Sequence, residues 1–136
     1  MSFIDIASQL EGMQEEHAVP GGDYKVRIIT ASVWPNAQDP QALMVRYEIQ
    51  DDPYAKSPSD FINLPSSGRD PKEANRHKIK LDSFCKAFGI TSGAEPDENG
   101  IISDWVGLEG WVFLKDPVDK GDGYGPQNRV SKYSGN

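Results

Sequence analysis

Flat aromatic rings set beside lysines and arginines are the residues here with the clearest chemistry. A ring face can stack a nucleobase, worth about 1–3 kcal/mol per base, and a nearby cation can neutralise the phosphate. Lys25 and Arg27 alternate with Tyr24, Val26 and Ile28, and Arg46 alternates with Val45 and Tyr47. If the aliphatic residues face a core, these cations face out. By the same parity Trp111, Phe113 and Lys115 share the side opposite Val112 and Leu114. Arg129 and Tyr133 share one side of the last alternating run, with Val130 and Lys132 on the other. Trp34 precedes Pro35 at a strand end, and Tyr124 sits in Gly121-Asp122-Gly123-Tyr124-Gly125-Pro126. The expected nucleic-acid-binding set is therefore Lys25, Arg27, Trp34, Arg46, Trp111, Phe113, Lys115, Tyr124, Arg129 and Tyr133. Each aromatic has a duller alternative. Trp34 could be a lid on the domain, Tyr124 a loop anchor, and Trp111 and Phe113 packing under a helix, since large aromatics are more often buried than bound.

Other chemistries are poorly served. His17 and His77 stand alone, without the spacing of a zinc site. Cys85 has no assignable base and reads as a small core residue. Glu95-Pro96-Asp97-Glu98-Asn99-Gly100 imitates a calcium loop, but its twelfth position is Val106 where a bidentate glutamate is needed. The glycines of Asp119–Gly125 lack the Gly-Lys-Ser/Thr ending of a phosphate loop. No pair of carboxylates has a spacing that fixes acid–base geometry. The expectation is a binding protein, not an enzyme, with no metal or cofactor.

The elements that must position these residues follow from periodicity. Residues 2–13 read as a short amphipathic helix, capped by Ser2 and carrying Phe3, Ile6, Ala7, Leu10 and Met13 on one face. Pro20-Gly21-Gly22 breaks the chain. Strands are expected at 24–34, 43–49 and 59–64. A helix follows at 71–88, with Asp70 as N-cap, Pro71 in its first turn and Gly89 at its end. Ala74, His77, Leu81, Phe84, Cys85 and Phe88 form its apolar stripe. Two more strands are expected at 110–115 and 128–133, separated by a glycine-rich loop. The reading is a mainly β, α+β fold: residues 1–20 form a helical arm and linker, and 21–136 a five-stranded OB-type barrel with its helix between strands three and four. On such a barrel the usual ligand surface is strands two and three with the first and fourth loops.

Composition sets the bounds. The 136 residues suffice for one domain with its own core; 37% are hydrophobic and 26% charged, which argues against wholesale disorder. No apolar run approaches the roughly 20 residues that cross a bilayer, and no signal peptide is evident, so no membrane partner is expected. A single cysteine suits a reducing cytoplasm. The net charge of −7 opposes nucleic-acid binding unless basic residues are segregated. The segment 69–86 holds six Lys/Arg against three acids. Arg76, Lys78 and Lys80 in it rank below the strand residues, because the helix of such a barrel usually lies away from the ligand.

The order of short motifs is also informative. Gly22-Asp23-Tyr24-Lys25-Val26, then Leu81 to Gly89 ending Ala87-Phe88-Gly89, then Leu108-Glu109-Gly110-Trp111-Val112, then Asn128-Arg129-Val130 occur in series. Over about residues 20–134 this series resembles small phage-encoded single-stranded DNA-binding proteins. The resemblance implies an OB-fold that binds single-stranded DNA without strong sequence choice, in phage replication or recombination, in the host cytoplasm. It also implies replication or recombination proteins as partners, and self-association as a homo-oligomer to be tested. Members often end in an acidic tail, unlike Lys132-Tyr133-Ser134-Gly135-Asn136 here. The alternative is a phage structural or protein-interaction β-domain that uses the N-terminal helix and exposed aromatics.

Overall fold

Alternation of apolar and polar residues builds a sheet around one long central strand. The computed structural model describes residues 3–134. Its elements are α1 (Ile6–Gln9), β1 (Gly22–Trp34), β2 (Ala42–Ile49), β3 (Ser59–Asn63), α2 (Pro71–Phe88), β4 (Glu109–Leu114), β5 (Val118–Asp119), β6 (Pro126–Gln127) and β7 (Val130–Ser134). The main sheet is antiparallel with the order β3-β2-β1-β4-β7, while β5 and β6 form a separate small hairpin. β1 pairs with β2 along its whole second part and with β4 through residues 22–27.

A bulge in β1 explains how thirteen residues can curl. Ile28 faces Tyr47 and Thr30 faces Arg46, so Ile29 is the extra residue. A bulge bends its strand and steepens the twist. It also resets parity: Val26 and Ile28 point inward before it, and Ala31 and Val33 after it, leaving Thr30, Ser32 and Trp34 outside. A second irregularity, between the partners of Phe113 and Leu114, does the same for β7. It puts Val130 and Tyr133 inside and Lys132 outside.

The inner face is filled by Val26, Ile28, Val45, Tyr47, Ile62, Val112 and Leu114, all essentially inaccessible. α2 closes it. Asp70 caps α2 by accepting from the Glu73 amide at 2.8 Å, Pro71 occupies its first turn, and Gly89 ends it with φ +70°. Phe84 and Phe88 project into the sheet, and Tyr47 stacks on Phe88 with ring centroids 5.6 Å apart and planes 10° apart. Phe84 also packs on Trp105 and Tyr133 at 5.5 and 5.4 Å. β4 lies so close to this helix that a Cβ on Gly110 would come within 2.5 Å of the Ala87 carbonyl. Only glycine fits there.

The two edge strands are drawn together by side chains. Tyr133 on β7 donates a hydrogen bond to Asp60 on β3 at 2.6 Å, and its hydroxyl lies 2.8 Å from that of Tyr47 on β2. Lys80 of α2 pairs with the same Asp60 at 3.2 Å. The result is a curled half-barrel of five strands, compatible with a β-barrel.

The N-terminal expectation needs correction. A helix over 2–13 reduces to the single turn Ile6–Gln9, capped by Asp5, and the expected Ser2 cap lies outside the described residues. Phe3, Ile6, Leu10 and Met13 are 90%, 63%, 54% and 73% exposed, so the arm packs on nothing. A helix this short has no stability without tertiary contacts. The body begins at His17, whose amide donates to the Tyr54 carbonyl at 3.0 Å, whose carbonyl accepts from the Lys56 amide at 2.8 Å and whose ring lies 2.6 Å from Asp52; Val19 beyond it is buried and held by the Asn128 side chain at 2.9 and 2.7 Å.

Candidate nucleic-acid interface

The outer face of the sheet is assembled by strand register. At the far end of β1, Trp34 and Phe61 meet edge to face with centroids 5.6 Å apart. Met44 lies directly opposite Phe61 in the β2–β3 pairing and opposite Ser32 in the β1–β2 pairing. Trp34, Met44 and Phe61 are 48%, 46% and 41% exposed, an apolar cluster on the surface of a charged protein. Arg46 is next along β2 on this face, opposite Thr30 and Ser59. Among the described residues no carboxylate pairs with it within 4.0 Å.

A second cluster lies on β4 and β7. Trp111 is 44% exposed and sits between Lys25 of β1 and Ser134 of β7. Phe113 is half-buried, with the Lys132 ammonium 5.4 Å from its ring centroid, a cation–π arrangement. Lys115 and Arg129 continue this face: the Lys115 amide donates to the Arg129 carbonyl at 2.9 Å, and both side chains are exposed. Among the described residues Lys115, Arg129 and Lys132 have no ion-pair partner.

Between the clusters the expected cations are neutralised. Arg27 bonds Glu48 at 2.9 Å, and Lys25 lies 3.6 Å from Glu109. Both pairs are half-exposed, so they are worth little as stabilisers and can exchange partners readily. Tyr124 is 73% exposed at the tip of the β5–β6 hairpin. Its backbone is pinned, because Lys56 donates to the carbonyls of Tyr124 and Pro126 at 2.6 and 2.9 Å. No ring contact ties it to either cluster.

Tyr133 does not belong to this surface. It is 7% exposed, points inward, and spends its hydroxyl on Asp60 and Tyr47. Burial, more than any other cause, raises the pKa of both tyrosines, so both stay protonated in the folded chain. The helix cations also lie apart, because α2 covers the opposite side of the sheet and Lys80 is engaged by Asp60.

Met44, Phe61 and Lys132 are the face residues that sequence reasoning passes over. The alternation Ser59, Phe61, Asn63 against Asp60, Ile62 contains the signal for Phe61, but five residues do not say which side is wet. Lys132 is placed outside only by the β7 irregularity.

Among the described residues no three His, Cys, Asp or Glu side chains group to hold a metal ion. Asp97 turns its Oδ1 back on the amides of Asn99 and Ile101, both at 2.9 Å. Burial, then the nearby Asp82 charge, raises the pKa of the Cys85 thiol, away from a reactive thiolate. Among the described residues no helix is long and apolar enough to cross a membrane. Comparisons with family models, curated proteins and solved structures find no match to this chain.

Proposed function

We propose that this chain binds single-stranded DNA without sequence preference, on an OB-type barrel, in the replication or recombination role implied by its resemblance to the phage proteins. The observation that carries the reading is the Trp34–Phe61 pair beside an unpaired Arg46. These rings are solvent-exposed on β1 and β3 and are not part of the core cluster. Strands two and three and the first loop are the surface that OB barrels use for oligonucleotides. The order β3-β2-β1-β4-β7 with α2 between β3 and β4 accords with such a barrel.

A strand stacked on Trp34 and Phe61 would run across the outer face toward Trp111, with Lys132, Lys115 and Arg129 beyond. Nine residues of β1 separate Trp34 from Lys25, the partner of Trp111, which is about 30 Å at 3.3 Å per residue before curvature. Stacking must supply most of the affinity, because the net charge is −7 and few cations are free. No catalytic role is proposed.

The test is titration of a fluorescent oligo-dT of about 30 nucleotides, at low and moderate salt, followed also by tryptophan fluorescence. Saturable quenching that weakens with salt and is much poorer on duplex is the expected outcome. The absence of binding at micromolar protein in low salt overturns the reading. It would favour instead a protein-interaction β-domain, for which the wholly exposed apolar arm is the specific observation.

A further inference from the structure

The arm and an apolar groove at the other end of the body are both apolar and are flanked by opposite charges. The groove, about 570 Å³, opens between α2 and the segment after it and is floored by Leu43, Leu64, Leu81, Ile90 and Trp105. Lys78 and Asp82 stand on its rim, Asp82 being neutralised by Lys86 at 2.9 Å. Lys72, Arg76 and Lys78 on the exposed side of α2 have no ion-pair partner among the described residues. The arm presents the opposite chemistry. Phe3, Ile6, Leu10 and Met13 recur at three- and four-residue spacing, the pattern by which an amphipathic helix enters a groove. Asp5, Glu11, Glu15 and Glu16 are its charges, and no Lys or Arg precedes Lys25.

The arm leaves the body at His17, held by the segment that follows β2 at Ile49, the partner of Val26, whereas the groove includes Val33 near the end of β1. Val26 and Val33 are about 23 Å apart along the strand before curvature. The seven residues from Leu10 to His17 reach about 25 Å when fully extended, which leaves no slack for the chain to fill its own groove. A second copy has no such limit. We propose that the arm of one copy docks as a helix in the α2 groove of the next, joining copies head to tail. Such a contact uses two different surfaces, so it propagates into a ring or an open array. Docking also supplies the tertiary partner that a helix over 2–13 lacks in the isolated chain.

The test is sedimentation velocity of the full chain without DNA, over roughly 1–200 µM, the range in which a short helix face in a groove gives measurable association. The weight-average mass should rise with concentration, and the far-UV helical signal should rise with it. Ile6→Asp with Leu10→Asp alters only exposed positions and should leave a monomer. Gly93→Trp should do the same by capping the groove, in a place where a Cβ meets nothing within 4 Å. Mixed together, these two variants retain one intact arm and one intact groove, and should form heterodimers and nothing larger. A wild-type chain that stays monomeric throughout overturns the proposal. So does association that survives Gly93→Trp, which would mean an arm-to-arm contact. Because DNA is absent, neither result bears on the nucleic-acid reading.

Discussion

The two faces of the main sheet carry aromatic rings in similar abundance but use them differently. Inside, Tyr47, Phe84, Phe88, Tyr133 and Trp105 touch one another in a continuous cluster, and each is less than 10% exposed. Outside, Trp34 and Phe61 touch each other, and Trp111 stands apart on β4; all three are more than 40% exposed. The inner rings are explained by folding, since burial of such side chains drives it. The outer rings cost solubility and return no core packing. The asymmetry is the ground for the proposal that they bind.

Substitutions on the two faces should separate cleanly. Phe84→Ala empties the centre of the core and should cost about 3–5 kcal/mol of stability in urea unfolding. If Trp34→Ala is as damaging to stability, the outer pair is structural and the contrast collapses. Trp34→Ala and Phe61→Ala should instead each weaken oligo-dT binding by about 1–3 kcal/mol with the melting temperature nearly unchanged. Trp111→Ala tests whether the β4 cluster is a second station on the same path; an unaltered affinity would confine binding to β1–β3.

Tyr133→Phe sharpens the contrast from the inner side. It should cost about 1–2 kcal/mol through the lost bond to Asp60 and leave DNA affinity untouched. It should also change the alkaline limb of stability. Burial raises the folded-state pKa of Tyr47 and Tyr133, so their contribution is complete below the ordinary tyrosine value near 10. Above it the unfolded chain ionises first and stability falls. The variant should show a shallower fall, seen in pH-dependent urea midpoints. The smallest effect concerns charge. Arg46→Gln or Lys132→Gln should reduce the salt slope of binding by about 0.7 each, the single-strand value per phosphate contact. Arg27→Gln should do less, because Glu48 already occupies that guanidinium.

Much of the fold is legible in the sequence because its signals are local. α2 runs from Pro71 to Phe88 as its caps and stripe require, and the five main strands fall where alternation puts them, within two residues at their ends. The failures come where a partner decides. The arm has helical periodicity but nothing to pack on. Tyr133 and Lys132 alternate, but only the β7 irregularity tells which is inside. Lys25 and Arg27 face outward as parity requires, yet their acids, Glu109 and Glu48, come from neighbouring strands and cancel them. Phe61 and Met44 become a site only when β3 pairs with β2.

The latch formed by Tyr47, Asp60 and Tyr133 has a consequence for the order of events during synthesis. Tyr47 and Tyr133 are separated by 86 residues and the Val19–Asn128 clamp by 109, so the closing contacts are among the most distant the chain can make. Such contacts are slow to form, because loop closure is unfavourable until they reward it. A nascent chain lacking β7 would hold the inner side of β4 open, with Phe84 and Phe88 wet and two strand edges unpaired. Completion of the fold therefore waits until β7 has been made and can reach β3 and β4.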